Sequence, residues 1–416
     1  MHRRYFVKSG AVALVTMGLS PSFLRRTAFG MELPVAQKGK VLICLFQRGA
    51  ADALNVVVPH GEKAYYELRP SIAIPQPLSG QGTNAALDLD GFFGLHPSLA
   101  PLKPLWDKGL LAPIHAVGSP STTRSHFDAQ DYMESGTPDV KLTNDGWLNR
   151  YLAASGTCAE CKVTPFRAVA MTSQTPRILE GAVPSVAMNS LEEFSMRSGG
   201  DQAGRLEALY RTGSADLIHG AGQEMFDAMR MLKSANPQQY LPASGAMYSN
   251  TQFGQRLKQI AQLIKSDIGL EIAFADVGGW DTHVAQGGVQ GQLANQLTGF
   301  ARSIAALTTD LGDRMEHVVI LTMSEFGRMA SQNGNGGTDH GHAGAMFVIG
   351  GPVRGKKVYG KWPGLAPEQL YEGRDLALTT DFRTVFAEIA TKHLGATKMD
   401  ALFPEFTPSA WLGLLG

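Results

Sequence analysis

Five short runs of apolar residues constrain the fold of this chain more than any other feature of its sequence. Each run has the length of one strand and is followed by a loop rich in Gly, Asp and Ser. Runs of this kind, without polar alternation, are typical of strands that are buried on both faces of a sheet. The five runs are VLICLF (41–46), LLAPIHAVG (110–118), LEIAFADV (270–277), HVVILTMS (317–324) and AMFVIGG (345–351).

Segments with helical periodicity lie between these runs and after the last of them. The alternation predicts an α/β domain over residues 31–416, with a mostly parallel sheet and helices on both of its faces. Residues from about 180 to 255 are more polar and rich in helix-forming residues, so we expect a helical insertion there. The predicted helices are HPSLAPLKPLWDKG (96–109), GQRLKQIAQLIKSD (254–267), QLANQLTGFARSIAALTTDL (292–311) and TDFRTVFAEIATKHLG (380–395).

The first 30 residues have the layout of an export signal. Arg3, Arg4 and Lys8 precede the apolar run GAVALVTMGL, which is too short to span a bilayer comfortably. The paired arginines resemble a twin-arginine signal, so we expect export by the twin-arginine translocase to the periplasm or beyond. We expect no stable membrane span after removal of the signal. The alternatives are a short uncleaved anchor and a basic start that arose by chance.

The charge balance disfavours nucleic acid as a partner. The chain has 37 basic and 37 acidic residues, but five of the basic residues lie in the signal, which leaves 32 basic against 37 acidic residues. A mildly acidic domain lacks the basic stripe that neutralises phosphates.

The three cysteines do not predict a zinc site. Cys158 and Cys161 have the spacing of a zinc knuckle, but no second Cys-x-x-Cys pair follows. A local disulfide or two free thiols is the expected state. Cys44 lies inside the first apolar run and is expected to be a buried strand residue.

Polar side chains follow four of the five apolar runs, at the point where each strand should end. Because ligands bind outside the carboxyl ends of parallel strands, these four loops should meet at one edge of the sheet. Carboxylates and imidazoles are the ligands that divalent cations prefer. The loops are QRGAADALN, SPSTTRSHFDAQDYMESG, GGWDTH and EFGRMASQNGNGGTDHGHAG.

The segment GGTDHGHAG (336–344) gives the strongest local indication of a metal site. Asp339, His340 and His342 lie among glycines, which allow close backbone approach. A single loop histidine, such as His126, is more often a surface or capping residue than a ligand. Convergence of several loops is the stronger argument, because a surface-loop interpretation does not explain polar clusters after four strands.

Several motifs, in this order, resemble a known family. With the twin-arginine start, RGAADALN, TRSHFDAQDYMESG, GGWDTH, SEFGR and GTDHGHAG resemble DUF1501, an exported bacterial family of unknown function. That family is similar in motif order to the alkaline phosphatase and sulfatase superfamily. The resemblance extends over nearly the full chain. It implies the alkaline-phosphatase-like fold and a metal-dependent hydrolase acting on phosphate or sulfate esters.

The resemblance implies metal ligands in two early motifs. Asp52 has the place of the superfamily's first acid. GGWDTH looks like its Asp and His metal pair, which makes Asp281 and His283 ligands. The implied cofactor is a divalent metal such as zinc, manganese or calcium.

The later motifs depart from the superfamily pattern. Glu325 replaces the Asp of an Asp-His-Gly motif, and Phe326, which cannot bind a metal, stands at its His. His340 or His342 would be the late histidine, with Asp339 as a further ligand. In another alignment, TDHGH is itself the Asp-His-Gly motif.

Thr122 and Arg124 would have catalytic roles by the same resemblance, and Arg328 would have one because its guanidinium can bind an anion. TTRSH is similar to the Thr-x-x-Asn-His start of the phosphodiesterase branch, which makes Thr122 the nucleophile. A comparison with sulfatases makes Arg124 a charge stabiliser. Arg328 would hold the substrate anion, or would be a salt-bridge partner of Glu325 three residues earlier.

Two functional hypotheses therefore stand side by side. The first is an exported metal-dependent hydrolase with a small anionic ester as its substrate. The second is an exported scaffold that keeps the fold, and one ion, without turnover. An oxidoreductase with a different metal is a third, weaker hypothesis.

Overall fold

A computed structural model describes residues 39–77, 84–141, 143–155, 164–192 and 240–416. The predicted export signal, Cys158, Cys161 and most of the predicted insertion (193–239) lie outside the described residues. The described flanks of that insertion hold a short edge strand, Val186–Ala187, and a loop before the helix at Gln252–Lys265.

An eight-stranded mixed sheet forms the centre of the protein, in the order β11-β5-β10-β9-β1-β8-β6-β7. All five predicted strands are present in it. Its strands are β1 (Val41–Gln47), β5 (Leu111–Gly118), β6 (Ala168–Ala170), β7 (Val186–Ala187), β8 (Ile272–Val277), β9 (Val318–Met323), β10 (Gly344–Gly350) and β11 (Thr380–Asp381). A small antiparallel sheet consists of β2 (Val57–Val58), β3 (Leu87–Asp88) and β4 (Gly94–Leu95).

The large sheet is mostly parallel, as predicted, with one reversed strand. Strand β1 pairs in parallel with β8 and β9, whereas β10 pairs antiparallel with both β5 and β9. No helix crosses over between β9 and β10, and a loop that returns at the same edge can only produce an antiparallel neighbour. The carboxyl ends of β1, β5, β8 and β9 therefore lie at the same edge as the start of β10.

Helices cover both faces of this sheet. Successive side chains of β1 alternate between two apolar cores because strand side chains alternate between faces. Each fully buried aliphatic or aromatic side chain contributes roughly 1.5–3 kcal/mol. One core contains Val41, Ile43 and Leu45; the other contains Leu42, Cys44 and Phe46, and burial raises the pKa of the Cys44 thiol.

The helices divide between these two cores. Helices α6 and α7 pack on the first core, and α5 and α8 pack on the second. The helices are α1 (Ala53–Val56), α2 (Lys63–Leu68), α3 (Lys103–Asp107), α4 (His126–Ser135), α5 (Trp147–Ala154), α6 (Gln252–Lys265), α7 (Gln292–Leu311), α8 (Phe382–Glu388) and α9 (Met399–Leu402). Short 3₁₀ turns occupy Pro97–Leu102, Pro165–Arg167, Arg177–Leu179, Gly312–His317 and Pro367–Gln369, and a π-helical turn occupies Ile389–His393.

None of the helices in the described part of the chain combines the length and the apolar character that crossing a bilayer requires.

Candidate metal centre

Four side chains from three separate loops meet at the carboxyl edge of the sheet. His126 is the first residue of α4, which follows β5. Asp281 and His283 lie in the loop after β8, and His340 lies in the loop between β9 and β10. We call these four residues the imidazole cluster.

Two glycines allow the loops to come this close. A Cβ atom on Gly337 would lie 2.3 Å from the carbonyl group of His283, and one on Gly341 would lie 2.3 Å from the carbonyl carbon of Arg328. Since real Cβ atoms do not approach backbone so closely, a larger residue at either position would push the loops apart. The glycine-rich sequence around His340 therefore serves close backbone packing.

The ring nitrogens of the cluster approach one another directly. The Nε2 atom of His340 lies 3.0 Å from Nε2 of His126 and 3.1 Å from Nε2 of His283. The carboxylate of Asp281 lies 3.2 Å from Nε2 of His340, 3.0 Å from Nε2 of His283 and 3.4 Å from Nε2 of His126. The ligand atoms of His126, Asp281 and His340 all lie within 4.8 Å of one another.

The second nitrogen of each imidazole faces a group that can only accept a hydrogen bond. Nδ1 of His126 lies 2.8 Å from the Glu325 carboxylate, and Nδ1 of His283 lies 2.9 Å from the Asp339 carboxylate. Nδ1 of His340 lies 3.0 Å from the carbonyl oxygen of Arg124. Each Nδ1 should therefore carry the proton, and each Nε2 then presents its lone pair to the cluster. Histidines that bind metals have this pattern of outer partners.

The contacts of His340 are not satisfied by ordinary hydrogen bonding. One imidazole nitrogen offers one hydrogen or one lone pair, but Nε2 of His340 faces two other nitrogens and a carboxylate. Two ligands that both bind a metal at about 2.0–2.2 Å are separated by roughly 3–3.5 Å. The observed separations fall in that range, so the cluster has the geometry of ligands around a cation.

Neighbouring charges hold Asp281 ionised. Burial opposes ionisation of this carboxyl, but Nη1 of Arg328 donates a hydrogen bond to it and outweighs burial, so the pKa of Asp281 is lowered. Arg328 is itself fully buried and is oriented by the hydroxyl and carbonyl oxygens of Thr338.

Glu325 is a buried anchor for His126. Its Oε1 atom accepts hydrogen bonds from the backbone N–H of Gly49 and from the side-chain amide of Gln130. Burial raises the pKa of Glu325, but the bonds from His126 and Gln130 prevail and lower it. The hydrogen bond to Glu325 in turn raises the pKa of His126, whereas burial lowers the pKa of His340.

The predicted ligands divide into those that meet in the cluster and those that do not. Asp281, His283 and His340 are in it. Glu325 and Asp339 contact its histidines from outside, at Nδ1.

Asp52 and His342 have other partners. The Oδ2 atom of the buried Asp52 lies 2.6 Å from Nη1 of Arg69 and accepts a bond of 2.6 Å from Gln286. His342 is buried and stacks on Tyr371, with ring centroids 4.3 Å apart.

The three residues predicted to be catalytic are also placed by the structure. Thr122 is exposed, and its hydroxyl contacts no described member of the cluster. Nη2 of Arg124 donates to Glu372 and Asp375. Arg328 pairs with Asp281, and the alternative of a salt bridge to Glu325 is wrong.

His126 is the member of the cluster that sequence reasoning did not place there. The sequence around His126 gives no local sign of a ligand, because the partners of this histidine are distant in sequence. Gln130, one helical turn later, donates to the Glu325 that holds His126, and this contact is visible only in the fold. The ring of Phe326 stacks on His126 with centroids 5.0 Å apart, so this residue packs against the cluster instead of binding a cation.

The fold and the cluster define an α/β protein with a candidate cation site at the carboxyl edge of its sheet. Residues 106–403 match the model of the family described as "Protein of unknown function (DUF1501)", and the chain belongs to that family. No curated protein matches the chain.

Proposed function

We propose that this protein is an exported metal-dependent hydrolase that holds a divalent cation in the imidazole cluster. The observation that carries the proposal is the convergence of three Nε2 atoms and a carboxylate at ligand-to-ligand distances.

The charges around the cluster favour a divalent cation. Asp281, Glu325 and Asp339 carry three negative charges there, and Arg328 supplies one positive charge. Imidazoles that bind a metal are neutral, so they would not compensate this excess of negative charge. An external cation would balance it, and zinc or manganese fits a mixed nitrogen and oxygen ligand set best.

The cluster is open to solvent on one side. The side chains of Asp281 and His283 are 41% and 39% exposed, so a substrate oxygen or a water molecule can reach the ligand atoms. A bound divalent cation would polarise an ester oxygen and lower the pKa of a bound water. Asp281 and the three imidazoles would hold the cation in place. Their outer partners would keep every Nε2 directed toward it.

The likeness to the alkaline phosphatase and sulfatase superfamily supports phosphate or sulfate esters as the substrate class. It rests on motif order and on the position of the cluster beyond the carboxyl ends of the strands. Thr122 would then be a nucleophile supplied from a solvent-exposed position, four residues before His126. A water molecule at the open side is the alternative nucleophile.

The placement of the arginines favours a second candidate function, a scaffold that binds a metal without turnover. Arg328 is committed to Asp281 and Thr338, and Arg124 is paired with two carboxylates. Every nitrogen of the Arg328 guanidinium already donates to Asp281 or Thr338, and Nη2 of Arg124 is bound to two carboxylates.

Turnover separates the two candidates. Protein loaded in turn with zinc, manganese and calcium should hydrolyse para-nitrophenyl phosphate, bis(para-nitrophenyl) phosphate or para-nitrophenyl sulfate. His340→Ala should abolish the activity, and His317→Ala, which changes an exposed histidine outside the cluster, should retain it. Bound metal with no turnover of any of the three esters would support the scaffold.

Export by the twin-arginine route remains part of the proposal. Replacing both Arg3 and Arg4 by Lys should retain the protein in the cytoplasm of a bacterial host. The matched replacement of Arg25 and Arg26 should leave export intact, because it changes the same residue type outside the twin-arginine motif.

A further inference from the structure

A tight turn beside the imidazole cluster brings the carboxylate of Glu372 into contact with Arg124. Tyr371 and Asp375 exchange backbone hydrogen bonds, and the turn between them has positive φ at Glu372 (52°) and Gly373 (66°). Gly, Asn and Asp dominate such positions, because longer side chains are strained there. The fold nevertheless holds Glu372 in this strained conformation at the tip of the turn.

Arg124 has two carboxylate partners in contrasting environments. Its Nη2 atom lies 2.8 Å from Asp375, whose side chain is fully buried, and 2.7 Å from Glu372, whose side chain is 52% exposed. The buried partner is fixed by the fold. The exposed partner can leave, because water solvates its carboxylate and weakens the ion pair.

Two further basic or polar groups lie around the same position. Nη2 of Arg374 donates to the carbonyl oxygen of His340, and the carbonyl oxygen of Arg124 faces Nδ1 of that same histidine. His342, two residues after His340, stacks on Tyr371 at the start of this turn, with ring centroids 4.3 Å apart. The arginines and His342 therefore adjoin the imidazole cluster.

We propose that Arg124, Arg374 and His342 form an oxyanion-binding subsite for phosphate or sulfate, and that Glu372 occupies it as a displaceable internal anion. This inference rests on the proposed function, because it supplies the anion grip that an ester hydrolase needs. An incoming oxyanion takes the place of the Glu372 carboxylate on Arg124, while Asp375 keeps the guanidinium in position.

The charge balance supports exchange of one anion for another. Arg124 and Arg374 balance Asp375 and Glu372 while the turn is closed. When Glu372 swings into solvent, the subsite has a net positive charge. Neutral ligands would gain nothing from that change, so the subsite selects anions.

Binding of inorganic phosphate to metal-free protein tests this subsite without any need for turnover. Isothermal titration calorimetry at constant ionic strength should show tighter binding by Glu372→Gln than by the natural protein, by roughly 1.5- to 5-fold. Arg124→Gln should weaken binding in both backgrounds. Inorganic sulfate should give the same order of affinities.

Glu405→Gln is the matched control. Glu405 is another exposed glutamate with positive φ (59°), and its replacement should leave phosphate affinity unchanged. Equal affinities for Glu372→Gln and the natural protein would overturn the proposal, as would phosphate binding that is insensitive to Arg124→Gln. If the predicted differences occur in a protein that hydrolyses no ester, the subsite stands and the hydrolase proposal alone fails.

Discussion

Two polar groups at the same edge of the sheet differ in where their positive charge comes from. Asp52 is buried and has Arg69 as an internal cation, with Gln286 as a further donor. The imidazole cluster brings ligand atoms to 3.0–3.4 Å from one another, but none of the Lys or Arg side chains in the described part of the chain lies at its centre. Arg328 approaches Asp281 alone.

This contrast separates a structural carboxylate from a candidate ligand. An acid whose charge is balanced by a buried guanidinium stabilises the fold and leaves little reason to bind a cation. Nitrogens and oxygens that face one another without a proton between them require a cation from outside. A hydrogen-bonded chain from Asp52 through Gln286 and Thr338 to Arg328 connects the two groups.

Breaking the Asp52 pair should have the largest effect on stability. Asp52→Asn leaves the fully buried Arg69 without its counter-charge, so we expect a loss of about 3–5 kcal/mol in the free energy of unfolding, measured in urea. Metal content should stay as in the natural protein. Asp267→Asn, in an exposed pair with Arg314, is the control and should cost about 1 kcal/mol or less. A loss of bound metal in Asp52→Asn would remove the distinction between the two groups.

Acid should expose a second difference, between core histidines and cluster histidines. Burial lowers the pKa of His115 to about 4, and its ring bonds the Val57 carbonyl and the Ala116 N–H. Because the folded pKa lies below the unfolded value, this residue's contribution is present at neutral pH and is lost as pH falls from about 6.5 to 4.

Urea unfolding of metal-free protein at pH 7 and at pH 4.5 measures that loss. The decrease in stability should be smaller in His115→Gln than in the natural protein by roughly 2–3 kcal/mol. Equal decreases in the two proteins would show that His115 titrates normally.

The outer partners of the cluster should have smaller, graded effects. Glu325→Gln keeps the shape of the buried partner of His126 but removes its charge, so metal affinity should fall about 10- to 100-fold. Asp339 is the partner of His283, and its side chain is 49% exposed. Asp339→Asn should therefore lower metal affinity less than Glu325→Gln does, because solvent screens the charge of Asp339. Competition titration with a chelating dye measures both. A larger effect at Asp339 would reverse the assigned order.

The sheet could be predicted from the sequence because strands covered on both faces must be apolar throughout. VLICLF and the other runs can therefore be recognised as strands from their apolar composition. The reversed direction of β10 could not be read from AMFVIGG, because a buried strand has the same composition in either direction. Likewise, the helix predicted over 96–109 is a 3₁₀ turn followed by a short helix, since Pro101 and Pro104 interrupt its hydrogen bonding.

The site was less predictable, because its members meet through the fold and not through local pattern. GGWDTH and GTDHGHAG pointed to Asp281, His283 and His340. The same pattern could not distinguish His340 from His342, whose ring packs on Tyr371. Nor could it show that Arg69 would reach Asp52 and form a buried ion pair with it.

Metal content tests the central claim most directly. Mature protein equilibrated with zinc or manganese, freed of excess ion and measured by inductively coupled plasma mass spectrometry should retain a stoichiometric divalent cation. His342→Ala and Asp52→Asn should retain it, and His340→Ala should lose it. Retention of the ion by His340→Ala, or absence of any ion from the folded natural protein, would contradict the account.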